Sequence, residues 1–170
     1  MINEKIEKAF NDQINAEIYS AYLYLSMAAY FEEINLKGFA NWMKIQHDEE
    51  MFHAMKFFDY IFERGGKVEL QPIKGPKTSW NSPLNAFEEA LEHEKYITGR
   101  INDLVYLAAE MKDRASEGFL QWYVDEQVEE ESSVGDIIQQ LKLMGDSGAA
   151  LLMFDRELGK RTFTPPASAE

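Results

Sequence analysis

The chain has 170 residues, 45% of them hydrophobic and 13% aromatic, enough apolar mass for one folded domain with a sizeable core. Against 17 basic residues stand 30 acidic ones, and the net charge of −13 argues against nucleic acid as a partner while suiting attraction of cations. There is no cysteine, which excludes disulfide scaffolds, thiolate zinc sites, iron–sulfur clusters and thiol nucleophiles.

The first predicted helix covers about residues 3–34. Its start, MINEKIEKAFND, is charged and lacks the apolar stretch of a secretory signal. The uncharged run IYSAYLYLSMAAYF is too short and too rich in Tyr and Ser for a membrane span. No membrane partner is expected, and the chain reads as soluble and cytoplasmic. A short turn, Ile34 to Gly38, leads to a second helix over 38–65, which closes on Arg64-Gly65-Gly66 with a cation in the last turn and glycine after it. Lys67 to Asn81 then holds Pro72, Gly75 and Pro76. A connection of that length can run along a whole bundle and make the second and third helices parallel. Ser82 and Pro83 read as N-cap and N1 of a third helix over 83–111. Lys112 and Asp113 mark a tight turn or kink before a fourth helix over 114–144, which ends at Gly145-Asp146-Ser147-Gly148. A short fifth helix is expected from Ala149 to Arg161, with Leu151, Leu152, Phe154 and Leu158 on one side. The fold class is therefore all-α: a four-helix bundle with a long crossover between helices 2 and 3 and a short C-terminal helix. Residues 1–161 form a single domain in this reading, and 162–170 a loose tail.

Each long helix carries an apolar seam at alternating spacings of three and four, and each seam is interrupted near its middle. The interruptions are Gln13 and Glu17; Gln46, Glu50 and His53; Glu94; and Gln127 and Glu130. Midpoints of helices of similar length stay level whichever way each runs, so Glu17, Glu50, His53, Glu94, Gln127 and Glu130 converge inside the bundle. Four carboxylates cannot share a low-dielectric interior as anions without positive charge. No Lys or Arg lies on those seam positions, so a metal is the natural compensation. Carboxylate oxygens with one imidazole suit iron or manganese. Each half of the chain supplies a lone Glu and then a pair, Glu50-x-x-His53 or Gln127-x-x-Glu130, the layout of a carboxylate-bridged dinuclear site.

From Asn11 to Arg161 the chain resembles the non-haem ferritins of bacteria and archaea, within the ferritin-like superfamily. The segments that carry the resemblance are NAEIYSAYLYLSMAAYF, GFANWMKIQHDEEMFHAMKFFDYI, HEKYITGRI, FLQWYVDEQVEEE and LLMFDRELGKR. It implies that Glu17, Glu50 and His53 hold one iron, and that Glu50 bridges to a second iron held by Glu94 and Glu130. Gln127 would be a weak ligand or a nearby donor, and Tyr24 the tyrosine beside the dinuclear centre. Glu49, Glu126 and Glu129 match the carboxylates that, with Glu130, form a third iron site in some bacterial members. The implied activity is that of a ferroxidase: oxidation of Fe²⁺ by O₂ or peroxide, with ferric mineral stored inside a homo-oligomeric shell of twenty-four subunits. Met51 follows the bridging Glu, where bacterioferritins take an axial haem ligand, but haem is not expected here. His47 and His93 read as surface residues.

A dinuclear-iron oxidase or peroxidase without mineral storage is the alternative. Rubrerythrin-type peroxidases need a Cys-rich module that this chain lacks, and substrate oxygenases usually build a larger scaffold. The fifth helix carries the expectation of assembly: three turns are marginal alone and need a partner surface, which the reading seeks on other subunits.

Overall fold

The computed structural model describes residues 1–165; residues 166–170, the last part of the expected loose tail, lie outside the described residues. Five helices follow in chain order: α1 (Glu4–Glu33), α2 (Lys37–Glu63), α3 (Pro83–Glu110), α4 (Arg114–Met144) and α5 (Gly148–Leu158). No strand occurs among the described residues. Several boundaries have a local cause. Asn3 caps α1 by accepting from the Lys5 N–H, Ser82 caps α3 by accepting from the Asn85 N–H, and Pro83 occupies the first helical position. Asn35 and Lys112 take φ of 61° and 56° in the turns that close the two helical hairpins, and Gly65 ends α2 at φ 70°.

The 67–81 connection runs along α1 in α1's own direction. Asn11 donates to the Lys67 carbonyl and accepts from the Glu69 N–H, Asn15 donates to the Gln71 and Pro72 carbonyls, and Ser26 donates to the Lys77 carbonyl. Trp80 then packs on Tyr30 at 5.5 Å between ring centroids. The chain thus re-enters at the other end of the bundle, and α3 runs parallel to α2, as the sequence predicts. Asn11 and Asn15, polar residues facing the connection, are what hold it down.

The core has two apolar clusters. One gathers Tyr24, Phe31, Phe39, Trp42, Phe87 and Val134; the other gathers Phe10, Phe57, Ile61, Ile97, Leu120 and Tyr123. The interrupted seam positions of all four long helices fall between them.

The fifth helix departs from expectation. It starts at Gly148, capped by the Ser147 hydroxyl on the Ala150 N–H, and ends at Leu158, short of the expected Arg161. Asn41 of α2 donates to the Leu158, Gly159 and Arg161 carbonyls, which draws the chain away from a further helical turn. Its partner surface is also nearer than expected. Phe154 and Leu158 are buried within the same chain, with Phe154 edge-on to Phe39 at 5.8 Å. The Asp155 carboxylate accepts from the Gly38 and Phe39 N–H groups at 2.8 and 3.0 Å, capping α2, whose own Leu36 offers no side-chain cap. The approach is so close that a Cβ on Gly38 would sit 1.5 Å from the Asp155 carbonyl oxygen. Leu152 and Met153 remain exposed, as does Leu143 at the end of α4.

Candidate metal centre

Between the two apolar clusters lies a layer of buried polar side chains: Gln13, Glu17 and Ser20 from α1, Gln46, Glu50 and His53 from α2, Glu94 from α3, and Gln127 and Glu130 from α4. The four buried carboxylates respond to one another and to burial. Desolvation, with neighbouring carboxylates, raises Glu50 well above the ordinary range and pushes Glu130 up to about 8. Desolvation likewise raises Glu17, and it lifts Glu94 to about 7 although Tyr24 and Gln127 donate to it. Burial disfavours a charge on His53, but the carboxylates of Glu126, Glu50 and Glu17 outweigh it and hold its pKa well above the usual imidazole value. Without a bound cation the layer balances itself with protons, a description that suits a site built to take positive charge.

Two trios among the described residues offer ligand atoms within 4.8 Å of one another: Glu17, Glu50 and His53, and His53, Glu126 and Glu130. His53 Nδ1 lies 3.4 Å from Glu50 Oε2, and Nε2 lies 3.9 Å from Glu126 Oε1. The Tyr123 hydroxyl donates to the His53 carbonyl at 2.8 Å, and Trp122 lies edge-on to the imidazole at 5.4 Å. Glu94 belongs to neither trio. Its carboxylate accepts from the Tyr24 hydroxyl and, at 3.2 Å, from the Gln127 amide, which also donates to the Glu94 carbonyl. Gln127 is therefore a donor to Glu94 in this structure, and Tyr24 is buried against the same carboxylate. Glu17 Oε1 accepts from Gln13 at 2.8 Å. Glu17 Oε2 is the one buried side-chain nitrogen or oxygen among the described residues that has no hydrogen-bond partner. Such an atom is costly unless a ligand completes it.

The residues expected at a third site differ in exposure and partners. Glu126 is half-buried and faces His53, Glu129 is exposed, and Glu49 is paired with Arg161 at 2.6 Å. Two histidines expected on the surface are partly covered. His47 Nδ1 is 2.9 Å from the Ala21 carbonyl oxygen. His93 lies beside Tyr19, Tyr24 and Tyr96, with Nε2 2.7 Å from the Ser20 hydroxyl, and burial lowers its pKa to about 4. Its place one residue before Glu94 turns it toward the α1–α3 contact, which helical phase alone could have suggested.

Sequence reasoning missed two arginines. Arg100 Nε donates to Gln13 Oε1 at 2.8 Å, and Arg161 Nη1 donates to Gln46 Oε1 at 2.8 Å. Neither sits on a seam. The only signal was that Gln13 and Gln46, each four residues before a seam glutamate, are polar where apolar residues are expected.

The profile of the ferritin-like domain matches residues 7–144. The chain belongs to the ferritin family. Among family members, a bacterial non-heme ferritin of Bacteroides fragilis (strain 638R) is 45% identical over 161 residues, covering 95% of this chain and 100% of the relative. One from Staphylococcus aureus (strain USA300) is 40% identical over 163 residues, covering 96% and 98%. Among solved structures, a ferritin of the hyperthermophilic archaeon Archaeoglobus fulgidus, described as an open-pore form, superposes with a TM-score of 0.94 at 56% identity, over 95% of this chain and 100% of that one. A closed form of the same ferritin, engineered by site-directed mutagenesis, gives a TM-score of 0.96 at 57% identity, over 96% and 100%. This chain thus shares the ferritin fold of those solved structures, a four-helix bundle with a short C-terminal helix. No helix among the described residues is long and apolar enough to cross a membrane.

Proposed function

We propose that this ferritin-family chain stores iron, oxidising Fe²⁺ at the buried carboxylate–histidine layer and holding the ferric product within a hollow homo-oligomer. The observation that carries the reading is the trio Glu17, Glu50 and His53, whose ligand atoms lie within 4.8 Å of one another and whose Glu17 has one oxygen without a hydrogen-bond partner. Hard oxygen donors with one imidazole suit iron or manganese, in contrast to thiolate sites that select softer metals. In this reading Glu17, Glu50 and His53 receive one ferrous ion. Glu50 reaches toward a second, taken by Glu94 and Glu130. The two ferrous ions give one electron each, and O₂ with two protons leaves as H₂O₂; peroxide can serve as oxidant in its place.

The surrounding side chains have distinct tasks. The Tyr24 hydroxyl and the Gln127 amide both donate to Glu94 and hold its carboxylate in place. Tyr123 and Trp122 fix His53 through its carbonyl and its ring face. Glu126, with Glu49 and Glu129, lies on the wetter side of His53 and offers a weaker third position by which ions enter or leave. Assembly into a shell, twenty-four subunits by family likeness, draws support from Leu143, Leu152 and Met153, which stay exposed after α5 has docked.

The test is aerobic Fe²⁺ addition followed by separation by size. Storage requires ferric iron to travel with a large, protein-containing species. Oxidation that leaves ferric precipitate and a small protein would favour an oxidase without storage. No oxidation above the protein-free rate would remove both.

A further inference from the structure

The metal-binding layer has two hydrogen-bond relays that run out of it to opposite sides of the bundle. On the α1–α3 side, Arg100 Nε donates to Gln13 Oε1 at 2.8 Å, and Gln13 Nε2 donates to Glu17 Oε1 at 2.8 Å. On the side where the C-terminal segment crosses α2, Arg161 Nη1 donates to Gln46 Oε1 at 2.8 Å, and Gln46 Nε2 donates to Glu130 Oε2. Both glutamines are fully buried. Both arginines are anchored independently: Arg100 donates to the Asp12 carbonyl, and Arg161 pairs with Glu49 and lies 4.4 Å above the Trp42 ring.

A carboxamide has one end that donates and one that accepts, and a buried one can flip unless its partners forbid it. A guanidinium only donates, so it can meet only the amide oxygen. Each arginine therefore turns its glutamine so that the NH₂ faces the glutamate. The glutamine then occupies one defined oxygen of that glutamate. On Glu17 the other oxygen is left without a partner. We propose that Gln13 and Gln46 are positioning residues of the metal centre, each locked by an arginine outside it, Arg100 from α3 and Arg161 from the C-terminal segment, so that Glu17 and Glu130 each turn a chosen oxygen to the metal. The proposal rests on the reading of the layer as a metal site.

Two consequences separate this role from simple packing. The relays act on different members of the layer, so breaking one weakens one metal-binding step and spares the other. Within a relay the arginine acts chiefly through its glutamine, beside a smaller direct pull of the Arg100 charge on Glu17 and the pairing of Arg161 with Glu49, so their effects fall well short of adding. The C-terminal segment also becomes a working part of the centre, since Arg161 lies beyond α5.

The experiment is calorimetric titration of the assembled, metal-free protein with Zn²⁺, which binds without redox chemistry. Arg100→Leu and Gln13→Leu should each weaken one step by about tenfold, the size expected for partners that orient a ligand. Arg100→Leu/Gln13→Leu together should be little weaker than Gln13→Leu alone, far short of the product of the two losses. Arg161→Leu and Gln46→Leu should weaken the other step in the same way. Arg100→Lys, which still donates to the Gln13 oxygen, should recover most of the loss. Glu17→Ala serves as reference. If it removes a zinc step while Arg100→Leu stays within twofold of the parent, or if the losses within a relay add, the relay is overturned and the metal site stands. If Glu17→Ala leaves zinc binding unchanged, the metal site itself is overturned, and the relay with it.

Discussion

The two apolar clusters and the polar layer between them are built on the same four helices yet obey opposite rules. In the clusters, apolar side chains meet and satisfy one another: Phe57 stacks on Tyr123 at 4.3 Å and Phe31 on Phe39 at 5.1 Å, and at the margin Tyr60 stacks on Phe119 at 3.9 Å. Each such ring removes apolar area from water and stabilises the fold outright. In the layer, the same seam positions hold carboxylates that burial pushes toward their protonated forms. They weaken the metal-free fold at neutral pH, a cost that the proposed cation would offset. Stability resides in the flanking clusters, which lets the layer be tuned for binding.

That contrast can be broken first at its strong side. Phe87 is fully buried and meets Phe31, Phe39 and Trp42. Phe87→Ala should cost about 3–5 kcal/mol by chemical unfolding, with zinc stoichiometry retained in the fraction that stays folded. A loss under 1 kcal/mol would mean that the clusters do not carry the fold.

Next comes the pH dependence of the layer. The folded-state pKa values of Glu94, about 7, and Glu130, about 8, are raised, so the folded protein holds protons that the unfolded chain releases above the ordinary value of 4.5. Their stabilising contribution is complete below 4.5 and is lost as pH rises through 7 and 8. Metal-free protein should therefore lose stability between pH 5 and 9, on the order of 3 kcal/mol from Glu94 and about 4 kcal/mol from Glu130. Glu94→Gln cannot titrate and should lessen that slope while impairing metal binding. Saturating Zn²⁺ should reverse the trend, because the cation competes with those protons. A stability curve in metal-free protein that is flat or rising over this range would contradict the picture.

How much of this contrast could be read from residues alone depends on distance from the seam. Helical periodicity exposed the four seams, and Glu17, Glu50, His53, Glu94 and Glu130 stood out because each breaks an apolar run. The crossover was legible because Pro72, Gly75 and Pro76 forbid a helix there. Arg100 and Arg161 were not legible, since an arginine off the seam looks like any solvated charge until the fold brings it against Gln13 or Gln46. The pairing of Glu49 with Arg161, a partner more than a hundred residues away in sequence, was likewise beyond sequence reading. Nor does an amphipathic three-turn helix say which surface it covers. Only the backbone approach of Asp155 to Gly38 brings α5 onto its own bundle.

The docking of α5 gives the smallest expected effect. Asp155→Ala removes the cap on the Gly38 and Phe39 N–H groups and should cost about 1 kcal/mol, read as a modest drop in Tm. Zinc affinity should change only through the step that depends on Arg161, because α5 carries that residue into place. Equal weakening of both zinc steps would mean that the two sides of the layer are not separately held.

The central claim is that the buried layer binds ferrous iron and oxidises it. It is tested most directly by stopped-flow measurement of aerobic Fe²⁺ oxidation at two ions per subunit, comparing the parent with Glu50→Ala and His53→Ala under matched folded concentrations. The parent should show a fast protein-dependent phase, and both variants should lose most of it while keeping their helical content. Variants that oxidise iron as fast as the parent would show that the chemistry occurs elsewhere.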